Sequence, residues 1–299
     1  MRVTALHSSV RACLVILGTA VLGAVAFPAN SRAATVPAHG LWVWKSHAVL
    51  RAPQETQSLR DFCRAENINE IYLSVSEEQG TSDDQTMAHL ISVLHRSEIR
   101  VEALVSSTTA DAGGQPRARL LERVRRVFSF NQRHGADGFD GIHLDIEPQQ
   151  RPENKGEGDL RFLPGLVDTY HAVRALAEPR GLTVNADIQS KLLKGDSAQR
   201  RALLSSLPRV TLMLYELSSP EDGSSVAEQA EKLRVTSQRM LGMAYQDLEE
   251  PNLARMAIAL RTPDYGTLLA QMLRTLDEAN AMNPHYLGWA RHSYNDVLK

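Results

Sequence analysis

The sequence predicts an α/β protein built as a closed (β/α)8 barrel, and two observations carry this prediction. From Gly40 onwards, short runs rich in β-branched and aromatic residues alternate about eight times with longer segments whose apolar residues recur at helical spacing. Residues 34–299 are also close in number to the roughly 250 residues of a typical eight-unit barrel. An open doubly wound sheet is the alternative, but no G-x-G-x-x-G follows the first strand, which weakens a nucleotide-binding version of it.

Eight segments are predicted as strands. They are LWVW (41–44), EIYLSV (70–75), VEALVS (101–106), DGIHLDIE (140–147), LTVNADI (182–188), VTLMLYE (210–216), ARMAIAL (254–260) and HYLGWA (285–290). Apolar residues spaced by three and four predict helices between them, for example Leu90, Ile91 and Leu94 after the second strand. Barrels of this class carry their chemistry at the C-terminal ends of the strands, so those ends are the places to search.

The first 33 residues are predicted to be a secretory signal peptide. Arg2 and Arg11 precede an unbroken apolar run, 12–27, that is shorter than the roughly 20 residues a spanning helix needs. Small residues lead up to Ala33, as at a cleavage site. We therefore expect one barrel domain, 34–299, that is secreted or periplasmic and does not associate with a membrane after cleavage.

Composition restricts the partners of that domain. The chain is 43% apolar with a formal net charge of −2, which is enough for one large core and gives no basic excess of the kind that indicates nucleic-acid binding. Only Cys63 of the two cysteines would remain after cleavage, so no intramolecular disulfide is expected. We expect a monomer that uses no cofactor.

The predicted fourth strand carries ionisable residues on one face. Alternate side chains of a strand point the same way, so His143, Asp145 and Glu147 share a face whose opposite side is apolar. The two carboxylates cannot both ionise cheaply at low dielectric, so one should hold a proton near neutral pH, as a general acid must. We predict Glu147 and Asp145 to be catalytic and His143 to bind substrate. The alternative is a structural pair of acids bound to Arg or Lys of nearby loops.

Further site residues are predicted on the sixth strand and on the first and last strands, which are neighbours in a closed barrel. Aromatic faces suit the apolar face of a sugar ring, although large aromatics such as Trp42 and Trp44 can also simply fill a core. Met213 and Tyr215 share one face of the sixth strand, and Glu216 stands at its exit. The predicted substrate-binding residues on these strands are Trp42, Trp44, Trp289, Met213 and Glu216.

Three of these motifs together resemble glycoside hydrolase family 18, the chitinase family. The stretch FDGIHLDIE is similar to that family's fourth-strand signature, D-G-x-D-x-D-x-E, with Asp140, Gly141, Asp145 and Glu147 in register. The stretch MLYE resembles the sixth-strand motif M-x-Y-D, and the eighth strand has a tryptophan as in the family.

The chain departs from the family at three places. His143 replaces the middle aspartate of the signature, Glu216 replaces the aspartate of the sixth-strand motif, and the third strand has no S-x-G-G. The resemblance covers about twenty positions, so it indicates a divergent relative.

The resemblance implies a retaining glycoside hydrolase that has no nucleophile of its own and acts on a β-linked, N-acetylhexosamine-containing polysaccharide or oligosaccharide. Glu147 would protonate the glycosidic oxygen while the acetamido carbonyl of the substrate attacks the anomeric carbon. Asp145 would orient the acetamido group and stabilise the oxazolinium ion. Tyr215 would donate a hydrogen bond to that group, and Trp289 would form the floor under the sugar.

Three other functions remain open from the sequence. Glu216 could be the nucleophile of a retaining glycosidase that acts on a non-acetylated glycan, which requires carboxyl groups about 5 Å apart. His, Asp and Glu on one strand face could be ligands of a metal-dependent hydrolase. The barrel could also bind carbohydrate without cleaving it, although retention of Glu147 argues against this.

Overall fold

The predicted barrel is confirmed. In a computed structural model, which describes residues 37–75, 81–154, 160–215 and 224–296, eight parallel strands close into one barrel in sequence order, with β1 paired to both β2 and β8. The strands are β1 (Ala38–Val43), β2 (Glu70–Ser74), β3 (Arg100–Ser107), β4 (Gly141–Ile146), β5 (Thr183–Gln189), β6 (Arg209–Met213), β7 (Arg255–Arg261) and β8 (Tyr286–His292). These residues belong to one compact unit, Val36–Lys299. The predicted signal peptide lies outside the described residues.

Helices surround the barrel. They are α1 (Ser46–Leu50), α2 (Pro53–Ala65), α3 (Thr81–His95), α4 (Gly114–His134), α5 (Leu163–Ala177), α6 (Ser197–Ser205), α7 (Val226–Tyr245), α8 (Thr262–Tyr265) and α9 (Leu269–Asn280). Helices α6 and α7 begin with capping boxes. The side chains of Asp196 and Ser225 accept from the backbone N–H groups of Gln199 and Glu228, whose side chains in turn accept from the backbone N–H groups of Asp196 and Ser225. No helix among the described residues is both long and apolar enough to cross a membrane.

The two faces of the strands differ in chemistry. Outward-pointing residues such as Ile142, Leu144 and Ile146 of β4 join the large apolar core between barrel and helices. The inner faces carry Glu70, Glu102, His143, Asn185 and Asp187 instead, all of them buried. The barrel interior is therefore a polar column, and each of its charges needs a partner inside the barrel.

The base of this column, near the N-terminal ends of the strands, is an ion-pair cluster. Arg209 of β6 binds Glu70 of β2 through both guanidinium nitrogens, at 2.5 and 3.0 Å. Arg100 of β3 lies 3.1 Å from Glu102 and 3.6 Å from Glu70. The glycine of the D-G pair is required here, because a Cβ at Gly141 would lie 2.6 Å from Thr183 Oγ1 and 3.0 Å from the Arg100 guanidinium.

The seam between β1 and β8 also requires a glycine. Gly288 has φ of 144°, and a Cβ there would lie 2.0 Å from the carbonyl oxygen of Ala38. Side chains with a Cβ rarely adopt this backbone conformation, so Gly288 allows the first and last strands to approach closely enough to close the barrel.

Candidate active site

Polar and aromatic side chains from several strands meet at the C-terminal end of the barrel, which we call the mouth. Its residues are Trp44, Asp145, Glu147, Gln189, Tyr215 and His292. Glu147 directly follows β4, and Gln189, the last residue of β5, donates from Nε2 to Glu147 Oε1 at 3.1 Å. The alternation in β4 thus brings both predicted catalytic carboxylates to the mouth.

Glu147 is half-buried and held by three side-chain amides. Gln149 donates to Oε1 at 3.2 Å, Gln150 donates to Oε2, and the third amide is that of Gln189. Burial raises the pKa of Glu147, with Asp187 adding to the rise and the bonds from Gln189 and Gln149 opposing it. The net direction is upward, which favours a carboxyl that can hold a proton closer to neutral pH.

Asp145 is more deeply buried than Glu147. Its Oδ1 is inaccessible to solvent and has no hydrogen-bond partner among the described residues. Burial raises the pKa of Asp145 well above its ordinary value, and the charges of Asp187 and Glu147 raise it further, against an opposing effect of His143. Asp145 is therefore protonated more readily than a solvated aspartate.

Sequence reasoning missed a third carboxylate, Asp187 of β5. Its Oδ1 lies 2.8 Å from His143 Nε2, and its Oδ2 accepts from Trp42 Nε1 at 3.1 Å. The signal was present in the sequence: Asn185, Asp187 and Gln189 alternate along β5 as the ionisable residues do along β4.

His143 does not reach the mouth, where the sequence predicts it to bind substrate. His143 is fully buried below the mouth, with its ring stacked on Tyr72 at 3.7 Å between centroids. Its two nitrogens lie 3.2 Å from Glu102 Oε2 and 2.8 Å from Asp187 Oδ1. Burial alone would lower the pKa of His143, but these two carboxylates outweigh it and raise the pKa to about 10. His143 is a buried cation in the polar column.

Trp42 and Trp44 both face the barrel interior, but only one reaches the mouth. Trp42 is 1% exposed and lies beside His143 and Tyr72, so it supports the site from below and offers no open platform for a sugar. Trp44 is partly exposed, and its Nε1 donates to His292 Nε2 at 3.0 Å.

Trp289 does not lie at the mouth, where the sequence predicts it to form the floor under the substrate. Trp289 pairs with Ile258 in β7, faces the helices, and donates from Nε1 to Asp277 of α9 at 3.0 Å. The residue of β8 that reaches the mouth is His292. Its ring lies 5.8 Å from those of Trp42 and Tyr215 and 6.2 Å from that of Trp44, between centroids.

Met213 is the last residue of β6, and Tyr215 follows two residues later. Tyr215 has a buried hydroxyl with no hydrogen-bond partner among the described residues, and burial raises its pKa. Arg261 of β7 lies over the Tyr215 ring, 5.9 Å from its centroid. Met213 pairs with Gln189 and is 9% exposed, so it lines the inner wall just below Tyr215. Glu216 lies outside the described residues.

A metal site was the other chemistry considered for these acids. Within the ranges that the structure describes, no group of three or more His, Cys, Asp or Glu side chains is arranged to hold a metal ion. His143 in particular uses both ring nitrogens to bind carboxylates, so neither is free to be a ligand.

Known structures share this fold at low sequence identity. The chain matches a chitinase from Bacteroides thetaiotaomicron (TM-score 0.55, 11% identity, 87% of this chain and 90% of that one). It also matches an exo-β-1,4-mannosidase from Opitutaceae bacterium strain TAV5 (0.55, 13%, 86% and 52%) and a chitinase from Chromobacterium violaceum (0.52, 12%, 86% and 94%). The chain thus spans about half the length of the mannosidase.

No family model matches the chain, and no curated protein matches it in sequence. The resemblance to chitinase-type barrels is therefore confirmed at the level of the fold.

Proposed function

We propose that the protein is a secreted glycoside hydrolase that cleaves a β-linked polysaccharide containing N-acetylhexosamine, by a retaining, substrate-assisted mechanism with Glu147 as acid and base. One observation carries the proposal: Asp145 and Glu147, both with raised pKa, lie on one strand end at the mouth of the barrel. The solved chitinases that share the fold support the same class of reaction.

Glu147 is placed to transfer a proton. It is the less buried of the two carboxyls, and its contacts are amides of the mouth, which a substrate oxygen can replace. In the first step its proton passes to the glycosidic oxygen as the bond from that oxygen to the anomeric carbon breaks. In the second step the Glu147 carboxylate takes a proton from water as the water attacks that carbon.

Two unpartnered polar groups suit an acetamido group. Asp145 Oδ1 and the Tyr215 hydroxyl are both buried at the mouth without a partner among the described residues, and such groups are costly unless a ligand satisfies them. An amide N–H can donate to Asp145, and its carbonyl oxygen can accept from Tyr215. That carbonyl oxygen then forms the bond to the anomeric carbon and gives an oxazolinium ion.

The test is Glu147→Gln assayed on chitooligosaccharides, peptidoglycan, and partly and fully deacetylated glucosamine polymers. We expect the fold and glycan binding to persist while kcat falls by about 10² to 10⁴, the usual contribution of general acid–base catalysis. Glu153→Gln is the matched control, since Glu153 is an exposed acid on the same loop. Full activity in the Glu147 variant would exclude Glu147 from the mechanism.

Two inhibitors separate the mechanisms. A thiazoline analogue of the oxazolinium ion should inhibit in the micromolar range or below, because mimics of high-energy states bind far more tightly than substrates. A mechanism-based fluorosugar should leave no adduct. A glycosyl adduct on Glu216, seen by mass spectrometry, would establish that residue as the nucleophile instead.

The secreted location is tested by N-terminal sequencing of the protein expressed with its full chain in a bacterial host. We expect the exported form to begin at Ala34. An uncleaved chain in the membrane fraction would contradict the proposal.

A further inference from the structure

Asp187 is a buried carboxylate that the reaction as proposed above does not use. Its side chain is 1% exposed, and both of its oxygens are occupied below the mouth. Oδ1 accepts from His143 Nε2 at 2.8 Å, and Oδ2 accepts from Trp42 Nε1 at 3.1 Å. Its orientation is therefore fixed by two donors on different strands.

Asp187 lies beside the catalytic Asp145. The last paired residues of β4 and β5 are Leu144 and Ala186, so Asp145 and Asp187 are the next residues of two strands that lie about 4.8 Å apart. Both side chains are on the inner face. Two carboxylates this close, out of contact with water, do not both carry charge, and one takes a proton.

The structure indicates which of the two remains charged. Both His143 ring nitrogens lie within hydrogen-bond distance of carboxyl oxygens, and these two groups raise the pKa of His143 to about 10, so the ring is an imidazolium whose two nitrogens donate. Glu102 holds the far side of this ring and is itself bound by Arg100 and by Asn185 Nδ2 at 2.5 Å. The cation cannot turn away from Asp187, whereas Asp145 has no cationic hydrogen-bond partner among the residues that the structure describes.

We propose that Asp187, held in place by His143 and Trp42, is a positioning residue whose negative charge keeps a proton on Asp145 and favours a proton on Glu147. The inference rests on the proposed function, since it concerns the same mouth. A fixed anion directly below the mouth also favours the positive charge that develops on the sugar during cleavage. In this chain the carboxylate beside Asp145 thus comes from β5, while position 143 of β4 supplies the cation.

The electrostatics of the neighbouring groups agree with this assignment. Asp187 raises the pKa of both Asp145 and Glu147, and His143 lowers that of Asp145. Several other titratable groups interact with these residues: Tyr72 of β2, Tyr170 of α5, Tyr215 after β6 and His292 of β8 with Asp187, and Glu102 of β3 with His143. Glu70, Arg100 and Arg209 lie beyond Glu102 at the base of the barrel, and Arg261 of β7 lies over the Tyr215 ring.

Two substitutions should shift the pH profile in opposite directions. Asp187→Asn removes an anion, so the basic limb of kcat/KM should move to lower pH by about 1 unit. His143→Gln removes a cation, so the same limb should move to higher pH by a similar amount. The acidic and basic limbs of the pH profile report apparent pKa values that belong to the coupled carboxyls as a set, and not to one residue each. If Asp187 and His143 had purely structural roles, the two substitutions would lower activity or stability without moving the basic limb in opposite directions.

Asp277→Asn is the matched control. Asp277 also accepts from a tryptophan Nε1, that of Trp289 at 3.0 Å, and also lies against a histidine, His39 at 3.1 Å. It differs in lying outside the barrel, on α9. We expect Asp277→Asn to lower the melting temperature and leave the basic limb in place.

A second readout needs no activity. Carbon-13 NMR of labelled aspartate should show the Asp145 carboxyl titrating at lower pH in Asp187→Asn than in the wild type, and nitrogen-15 NMR of wild-type protein should show His143 doubly protonated at pH 7. A neutral His143, or an unmoved Asp145 titration, overturns the inference even if the enzyme is active. A wild type that cleaves no glycan refutes the proposed function, and the NMR titration still decides the inference. If Asp187→Asn does not fold, His143→Gln and the wild-type spectrum decide it.

Discussion

The ion pair at the base of the barrel allows a stability prediction that tests the polar column directly. Glu70 is 3% exposed in its side chain and is bound by both nitrogens of Arg209, at 2.5 and 3.0 Å. Arg209→Met keeps an unbranched apolar stem and removes the guanidinium and its charge. Among the described residues, Arg100 at 3.6 Å is then the cation that remains beside the buried Glu70.

The expected loss follows from that geometry. Removing one partner of a buried pair usually costs about 3 to 5 kcal/mol, because the remaining charge is uncompensated. Because Arg100 remains as a second cation near Glu70, we expect a loss near the lower end of this range, about 3 kcal/mol. For a domain of this size each kcal/mol lowers the melting temperature by about 2 to 4 °C, so we expect a fall of about 6 to 12 °C.

The loss should also depend on pH. Burial raises the pKa of Glu70, and Arg209 opposes the rise, so the variant raises that pKa further. An acid whose pKa is raised by folding stabilises the native state when protonated, and this contribution is lost as pH rises. The variant should therefore be less destabilised at pH 5 than at pH 8.

The assay is urea unfolding followed by circular dichroism at both pH values. The double variant Glu70→Gln/Arg209→Met is the control, and it should recover most of the loss, since no buried charge is left without a partner. A loss below about 1 kcal/mol in the single variant, or a loss equal at both pH values, would refute the reasoning.

Three further outcomes are expected. Tyr215→Phe should lower kcat by roughly 10- to 100-fold, which is the value of one hydrogen bond to a charged group. The melting temperature should not fall, because the Tyr215 hydroxyl has no partner among the described residues. An unchanged kcat would remove Tyr215 from the reaction. Trp289→Phe should lower the melting temperature through loss of the bond to Asp277 and leave KM unchanged, whereas a raised KM would return Trp289 to the site. The hydrogen bond to Asp140 raises the pKa of His95, so His95 should stabilise the fold at pH values below its unfolded pKa and lose that contribution as pH rises. In thermal melts, His95→Gln should flatten this pH dependence of stability. A pH dependence identical to that of the wild type would contradict the prediction.

The barrel could be predicted from the sequence because its strands and helices each leave a regular spacing of apolar residues. Alternation along β4 correctly gives the face of Asp145 and Glu147, since parity alone decides it. Parity does not give depth, and for this reason His143, one layer below Asp145, was assigned to the mouth although it lies in the column beneath it.

Strand ends and neighbouring strands were harder to predict. The last strand extends to His292, two residues beyond its predicted end, and Trp289 has the opposite parity to His292 and therefore faces the helices. The role of Asp187 depends on its pairing with β4, which a single sequence does not specify. Its partner His143 departs from the family signature in the sequence, and only the structure shows that it forms a hydrogen bond with Asp187.

The polar column also restricts how this sequence can change over evolution. Two interior ion pairs join different strands, Glu70 with Arg209 and Asp187 with His143, so a substitution at one position leaves a buried charge on another strand without its partner. Substitutions at these positions should therefore occur together: a homologue that carries aspartate at position 143 should lack the acid at position 187. Such paired exchanges would connect this chain to barrels with another arrangement of the same acids, and the route passes through neutral intermediates such as asparagine or glutamine.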